Sequence, residues 1–509
     1  MNGTDQNDLD TLAAALTPAQ RHLILMTVSV TAMLHMMAMT SVSVVLPQMR
    51  GSLSAGPDQI SWVLTLSVIG AVVATPLSGW MVDRLGWRKV TLITIAGFAL
   101  STILCASAQT LTAMLIARTL QGAFGAPLIV VAQAILLAVY PKEDTAWSQS
   151  AWGIASVVGQ AMAPVIGGYL ADALGWRWAI WFLIPMSLIS IIMTLVWIPN
   201  GGATGRTRFD WIGFVGLSLA VAGLQMTMDR GERLYWFEST EIIGYTVLSI
   251  TGALVFLGRC ITQTTPFIDL SLFKNLRFCL GVFMIMLFGM ASFMPNWILP
   301  AIMGGLQGYP QATIGWVLWV RGLGMLFGFF LVAAIAGPYP RATMGIGFLL
   351  AALAGFQGIF FTLSVSYEEI AWVSGIQGFG TALMWTPIVL IGFSGLSPSQ
   401  MAQGSALFHL LRQLSMSVFL AVMVSVSVRT GTISYAELIA QLDLFVPGSQ
   451  PGSPWDFEST TGLAQISAEV ARQSKMIGYN NAFLVYTVAC AIGTALAFFC
   501  FPRSKIGTT

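Results

Sequence analysis

The sequence predicts an all-α membrane protein built from about fourteen helices that cross a bilayer. Three observations lead there. Of the 509 residues 56% are hydrophobic and only 9% charged, with mean hydropathy +0.78. A soluble domain carries about 25% charged residues, so this chain cannot cover a water-facing surface and lipid must be its solvent. The apolar residues come in runs of about 20 or more, the length needed to cross a hydrocarbon core. The ionisable residues are confined to short segments between those runs.

The predicted spans fall near 23–47, 60–81, 90–108, 112–139, 147–171, 178–198, 211–228, 241–259, 278–301, 312–336, 342–363, 368–394, 403–428 and 479–501. Residues 1–22 form a polar N-terminal segment; the run after it is too long for a signal-peptide core and is expected to stay as a span. Placing the N-terminus in the cytoplasm puts Arg84, Arg88, Lys89, Lys142, Arg206, Arg208 and Arg341 on the same side. Counted over the chain, Lys and Arg favour that side roughly two to one, and an even number of spans returns both termini to it. Most connections are short, which makes successive spans antiparallel neighbours. The organisation expected is a six-helix bundle over 23–198, two inserted spans over 211–259, and a second six-helix bundle over 278–501. The second bundle is interrupted by an external loop, 429–478. Its VPGSQPGSPW stretch should be irregular, and its ISAEVARQSKMI stretch should form an amphipathic helix on the outer surface.

Composition also excludes function classes. A net charge of +2 does not suit a nucleic-acid binder, and five irregularly spaced cysteines suggest neither a disulfide framework nor a metal site. No zinc-protease, nucleophile-elbow or phosphate-loop motif is present, so neither an enzyme nor a bound cofactor is expected.

Few ionisable groups lie inside the spans: His35, Arg118, Arg321, His409 and Arg412. A charge at the centre of a span costs about 2.5–3.5 kcal/mol on insertion scales, so each is a candidate for function. Arginines at such depths also brace helices through backbone carbonyls, and that reading stays open for all three. Gln121 lies one turn from Arg118, with Gly122 beside it, and His409 and Arg412 share a face three residues apart. In GQAMAPVIGG, Gly159, Ala163 and Gly167 form a small-residue stripe beside Pro164 and Gly168, and the proline should bend the helix. Met36, Met290, Phe293, Met294, Trp297, Met384 and Trp385 are candidates to line a cavity, because thioethers and flat rings repack around different apolar molecules.

Between the second and third spans lies GWMVDRLGWRK, with Gly79, Asp83, Arg84, Gly86, Arg88 and Lys89 at fixed spacing. It resembles the signature loop of the major facilitator superfamily, with Trp87 where the first basic residue of a pair usually stands. Arg118, Gln121 and Gly122 resemble that family's Arg-x-x-Gln-Gly pattern, tied there to proton transfer. The Pro164 segment resembles its antiporter signature, with Ala163 in place of a glycine. With MDRGERLYWF, FHLLRQL and GYNNAF, the chain is similar to the fourteen-span drug:proton antiporter branch, the EmrB-type multidrug efflux permeases of bacterial inner membranes. The resemblance implies alternating access, export of small amphipathic substrates, proton antiport, and work with a periplasmic adaptor and an outer-membrane channel. It also implies that Asp83 latches the two bundles by facing the start of the thirteenth span. The chain departs from the branch at Ala38, which stands where that branch has an aspartate. With three arginines and no carboxylate well inside a span, an anionic lipophilic acid carried without conventional antiport is the alternative substrate reading.

Overall fold

The computed structural model describes residues 16–141, 143–201, 209–263, 267–268, 270–397, 400–442 and 459–499. The first helix, α1 (Pro18–Ser52), starts earlier than its apolar run. Thr17 and Gln20 form a reciprocal capping box around Pro18, which satisfies backbone N–H groups at its N-terminus. α2 (Pro57–Ala74) and α3 (Leu77–Leu85) together make the second predicted span, bent by 48° at the Thr75–Pro76 break. There follow α4 (Trp87–Ser107), α5 (Leu111–Val139), α6 (Thr145–Leu174), the single turn α7 (Trp178–Trp181) and α8 (Leu183–Trp197). α9 (Trp211–Arg230) and α10 (Thr240–Thr262) cover the two stretches expected as inserted spans. The second series is α11 (Leu276–Pro300), which ends in a π turn over Ala301–Leu306, α12 (Gln311–Ile335), α13 (Pro340–Gly358), α14 (Tyr367–Phe393), α15 (Met401–Ala440) and α16 (Thr460–Phe499).

Among the described residues twelve helices are long and apolar enough to cross a membrane, or thirteen when the bent pair counts as one span. The expected eleventh span, 342–363, corresponds to α13. This 19-residue helix carries Arg341 near its start and Gln357 at its end and is not one of those twelve.

α1, α2, α4, α5, α6 and α8 pack on one another, as do α11 to α16. The two groups meet where α6 lies on α12 and α14, and where α15 lies on α2, α3 and α5. α9 packs on α10, and also touches α2 and α15; α10 is buried over only 11% of its apolar window, so most of its surface is left for lipid.

The external segment differs from expectation. The ISAEVARQSKMI stretch is helical, but it lies within the first half of α16 and is not a separate helix lying on the surface. α15 and α16 are 40 residues each, about 60 Å at 1.5 Å per residue, or twice a hydrocarbon core of about 30 Å. Their far ends pair with each other. A Cβ on Gly478 would lie 2.2 Å from the Ser427 carbonyl oxygen, so only glycine allows this approach, and Tyr435 and Ser467 hydrogen-bond at 3.0 Å. Packing on a partner helix buries Ile466 and Met476, which a surface-lying helix would instead have turned towards the bilayer. The VPGSQPGSPW stretch lies outside the described residues.

Candidate functional site

The Gly79–Lys89 turn is built around two glycines with separate jobs. Gly86 ends α3 with φ +81°, a conformation that a side chain disfavours. A Cβ on Gly79 would sit 3.1 Å from the Cα of Gln403, so its small size lets the start of α15 approach α3. Asp83, 7% exposed, accepts a hydrogen bond at 3.1 Å from Nε2 of Gln403. The expected partner of Asp83, the start of the thirteenth span, is therefore met through a side-chain amide. Arg88 donates to the Leu195 carbonyl and the Trp87 N–H donates to the Gly201 carbonyl, which ties the turn to the end of α8. Arg84 and Lys89 are exposed.

Beyond this turn, among the described residues, side-chain groups link the two helix groups. Ser405 on α15 donates to the Val130 carbonyl (3.2 Å) and to Gln133 (2.9 Å) on α5. Ser150 on α6 and Thr386 on α14 hydrogen-bond at 3.0 Å. Trp152 on α6 packs against Trp385 on α14 and against His409 on α15, with ring centroids 5.7 and 6.5 Å away. Trp385 and His409 are 5.9 Å apart. The contacts from Ser405, Ser150 and Trp152 hold the two groups together towards the Asp83 end of the molecule.

Arg118 is fully buried. Its Nε donates to the Val63 carbonyl on α2, and Nη1 donates to the Ala38 carbonyl on α1 at 3.3 Å and to Gln121. The position at which the resemblance calls for an aspartate thus offers the guanidinium a neutral carbonyl. Gln121 passes the network to Thr102 on α4 at 2.8 Å. His35, 4% exposed, lies over Gly125 on the next part of α5, where a Cβ would be 2.1 Å from Nδ1.

Arg321 on α12 forms a matching node in the other group. Nε donates to Gln377 on α14 at 2.8 Å, Nη2 to the Ser292 carbonyl on α11 at 2.7 Å, and Nη1 to Asn296. Gln377 also donates to the Ala291 carbonyl and to the hydroxyl of Tyr486.

A match to the family model described as Major Facilitator Superfamily covers residues 28–420. The chain belongs to the Major Facilitator Superfamily. Among curated relatives it is similar to "Probable multidrug resistance protein EmrY" of Escherichia coli K12, 27% identical over 503 residues, with 96% of this chain and 97% of that protein covered. It is also similar to "Multidrug export protein EmrB" of the same strain, 26% identical over 500 residues, with 95% and 96% covered. A solved structure of a double-tryptophan XylE mutant superposes with TM-score 0.63 at 13% identity, over 96% of this chain and 98% of that one, and shows the shared fold.

The superfamily fold of this chain carries an internal repeat at the level of single residues. A Cβ on Gly122 would lie 1.9 Å from the Ser67 carbonyl, and one on Gly70 2.1 Å from that of Thr119, so α2 and α5 touch backbone to backbone. In the other group Gly378 stands 2.2 Å from the Arg321 carbonyl in the same sense, and Gly324 2.1 Å from that of Gly375. Superposing these contacts aligns Gln121-Gly122 with Gln377-Gly378, Arg118 with Ser374, and Ser67 with Arg321. Each group therefore holds one guanidinium and one serine at the crossing, on exchanged helices. In both groups the guanidinium reaches a carbonyl of the first helix, Ala38 or Ser292.

The remaining sequence candidates separate into two places. The Gly159–Gly168 face of α6 packs on α1: Gly159 against Met33 and Gly167 against Ser41, with Pro164 inside a helix that runs unbroken from Thr145 to Leu174. Met290, Phe293, Met294 and Trp297 meet Met416, Phe419 and Met423 in a crevice between α11 and α15 too tight for a water molecule. Met384 and Trp385 are buried on α14, and Met36 is partly buried. Sequence reasoning missed Gln133, Gln377 and Gln403, since a glutamine in an apolar run signals nothing about which helix it faces. It also reads the MDRGERLYWF stretch as a charged external turn and a family mark, without partners. In the structure Asp229 accepts from Thr65 on α2 at 2.8 Å and Arg230 stacks on Trp62, while Glu232 accepts from Ser425 on α15. That turn thus touches both groups at the end opposite Asp83.

Proposed function

We propose that the chain is a secondary transporter that exports small amphipathic compounds across a bacterial inner membrane by alternating access, coupled to protons. The observation that carries this reading is the seam at the Asp83 end. It is made of side-chain contacts between two separately packed groups, so the groups can part without breaking either one. The relatives named as multidrug export and resistance proteins match over nearly their whole length, which supports export as the direction.

On this reading the Asp83 end faces the cytoplasm with both termini, and 23–198 and 278–501 are the moving halves. Asp83 and Gln403 form the latch of the closed cytoplasmic side. Arg118, Gln121, His35, Arg321, His409 and Arg412 line or brace the path of substrate and protons, and the Pro164 face of α6 slides on α1. The paired far ends of α15 and α16 reach well past the bilayer on the other side and offer a periplasmic adaptor, and through it an outer-membrane channel, a surface to meet.

A second reading is favoured by one observation. Among the described residues the carboxylates sit near helix ends or in turns, as with Asp83, Asp172, Asp229 and Glu368, or, for Glu469, on the polar first part of α16, and none lies inside an apolar run. A carrier for a lipophilic acid, without a conventional antiport carboxylate, fits that distribution. Substrate flux into proteoliposomes, with and without an imposed pH gradient, separates the two. Gradient-driven flux of amphipathic compounds supports antiport, gradient-independent flux restricted to acids supports the second reading, and no flux for any amphiphile sinks both.

A further inference from the structure

The seam holds a cluster of buried polar groups that the contacts described above do not use. Nε1 of Trp152, Nε1 of Trp385, both ring nitrogens of His409 and both amide atoms of Gln149 have no hydrogen-bond partner in the structure. The four residues are 4%, 6%, 1% and 0% exposed, so bulk water does not serve them. Gln149 lies one helical turn from Trp152 on α6. Arg412 lies one turn from His409 on α15; its Nε is also unpartnered, and its guanidinium's one hydrogen bond is to Sδ of Met416 at 3.7 Å. Buried polar atoms are almost always paired in folded proteins, and a group of them in one place needs a cause.

We propose that Gln149, Trp152, Trp385, His409 and Arg412 receive the anionic head of an amphipathic substrate, a carboxylate, when the two halves part. This rests on the carrier reading above and narrows its substrate class. The argument is one of sign. Indole and guanidinium N–H groups only donate, and glutamine and histidine each bring at least one further donor. Among the described residues no acid lies inside an apolar run to balance them. A carboxylate accepts from several donors at once, and its bond to a guanidinium is charge-assisted. The aromatic faces of Trp152 and Trp385 would by themselves attract a cation, but the Arg412 charge one turn from His409 opposes one. Met416, which holds the guanidinium in this state, belongs to the thioether-rich face shared by α11 and α15, and that face can repack around an alkyl tail.

The test uses the full chain in nanodiscs, with empty nanodiscs as the partition control. Equilibrium dialysis measures binding of decanoate, decyltrimethylammonium and decanamide, three probes with similar tails and different heads. Decanoate is expected to bind about tenfold tighter than either other probe, as one charge-assisted interaction provides. Arg412→Gln should erase the difference and Arg412→Lys should keep most of it. Trp152→Phe and Trp385→Phe retain the rings and remove the N–H donors, and each should weaken decanoate by roughly fivefold while leaving decanamide unchanged. The proposal is overturned if the cation binds as tightly as the acid, if Arg412→Gln leaves decanoate affinity intact, or if both Trp→Phe variants are silent, which would assign the cluster to trapped water. Proteoliposome flux of the same probes separates this from the wider reading: transport without preference for the acid sinks only this inference, and transport of none of them sinks the carrier reading too.

Discussion

Replacing Asp83 by Asn tests the latch directly. The carboxylate is 7% exposed and accepts from Gln403 at 3.1 Å. A hydrogen bond to a charged group contributes about 1.5–3 kcal/mol, roughly twice a neutral one. Asn keeps the shape and an acceptor oxygen but not the charge, so the closed state should lose on the order of 1–1.5 kcal/mol. That shifts the balance between closed and open forms at this end about tenfold. Ser405→Cys supplies the reporter, because Ser405 is fully buried against Val130 and Gln133 and a thiol there reacts only when the seam opens. The alkylation rate of that cysteine in nanodiscs should rise about five- to tenfold in Asp83→Asn. Cys260 on α10, partly exposed and remote from the seam, should keep its rate and serves as the internal control. Gln403→Ala should reproduce the effect. An unchanged or slower rate at residue 405 in both variants would refute the latch.

Other expectations follow from the geometry. Gly122→Ala puts a methyl 1.9 Å from the Ser67 carbonyl and should sharply reduce recoverable folded protein, whereas Gly168→Ala, with only Val44 nearby at 3.8 Å, should be tolerated; size-exclusion profiles compare them. Arg321→Ser leaves Gln377 without its donor and should lower the unfolding temperature, and adding Ser374→Arg, which copies the arrangement at Arg118, should restore at least half of the loss. The Asp210 carboxyl caps α9 through the Gly213 N–H and meets Arg259 of α10 at 2.8 Å. Burial pulls its pKa up, but the Arg259 and Gly213 hydrogen bonds outweigh it and hold the pKa below the ordinary carboxylate value. A depressed folded pKa means that this link is present above about pH 3.9 and is lost as pH falls through the folded value. The unfolding temperature should therefore lose this contribution only below about pH 4, and Asp210→Asn should lower it already at neutral pH.

The membrane class, twelve or thirteen of the fourteen expected spans and the marker turn were legible along the chain, because each depends on local properties. Hydropathy over about 20 residues decides whether a helix enters lipid, and the Gly79–Lys89 pattern is short enough to be recognised without a fold. Depth was legible too: Arg118, Arg321 and Arg412 had to be buried in the bilayer by position alone. Sequence could not say where their guanidiniums point. Arg118 and Arg321 turn out to hold the same crossing from opposite helices, a relation visible only once the backbone contacts of Gly122 and Gly378 align the two groups. Helix periodicity likewise marked the start of α16 as amphipathic but not what covers its apolar side, which packing against α15 settled. The pairing of Ser405 with Gln133, or of Trp152 with Trp385 and His409, joins residues more than 200 positions apart. Such pairs leave no periodic trace, since a span with a polar residue facing another helix is as apolar on average as one without it. Only the packing of one group of helices on the other decided them.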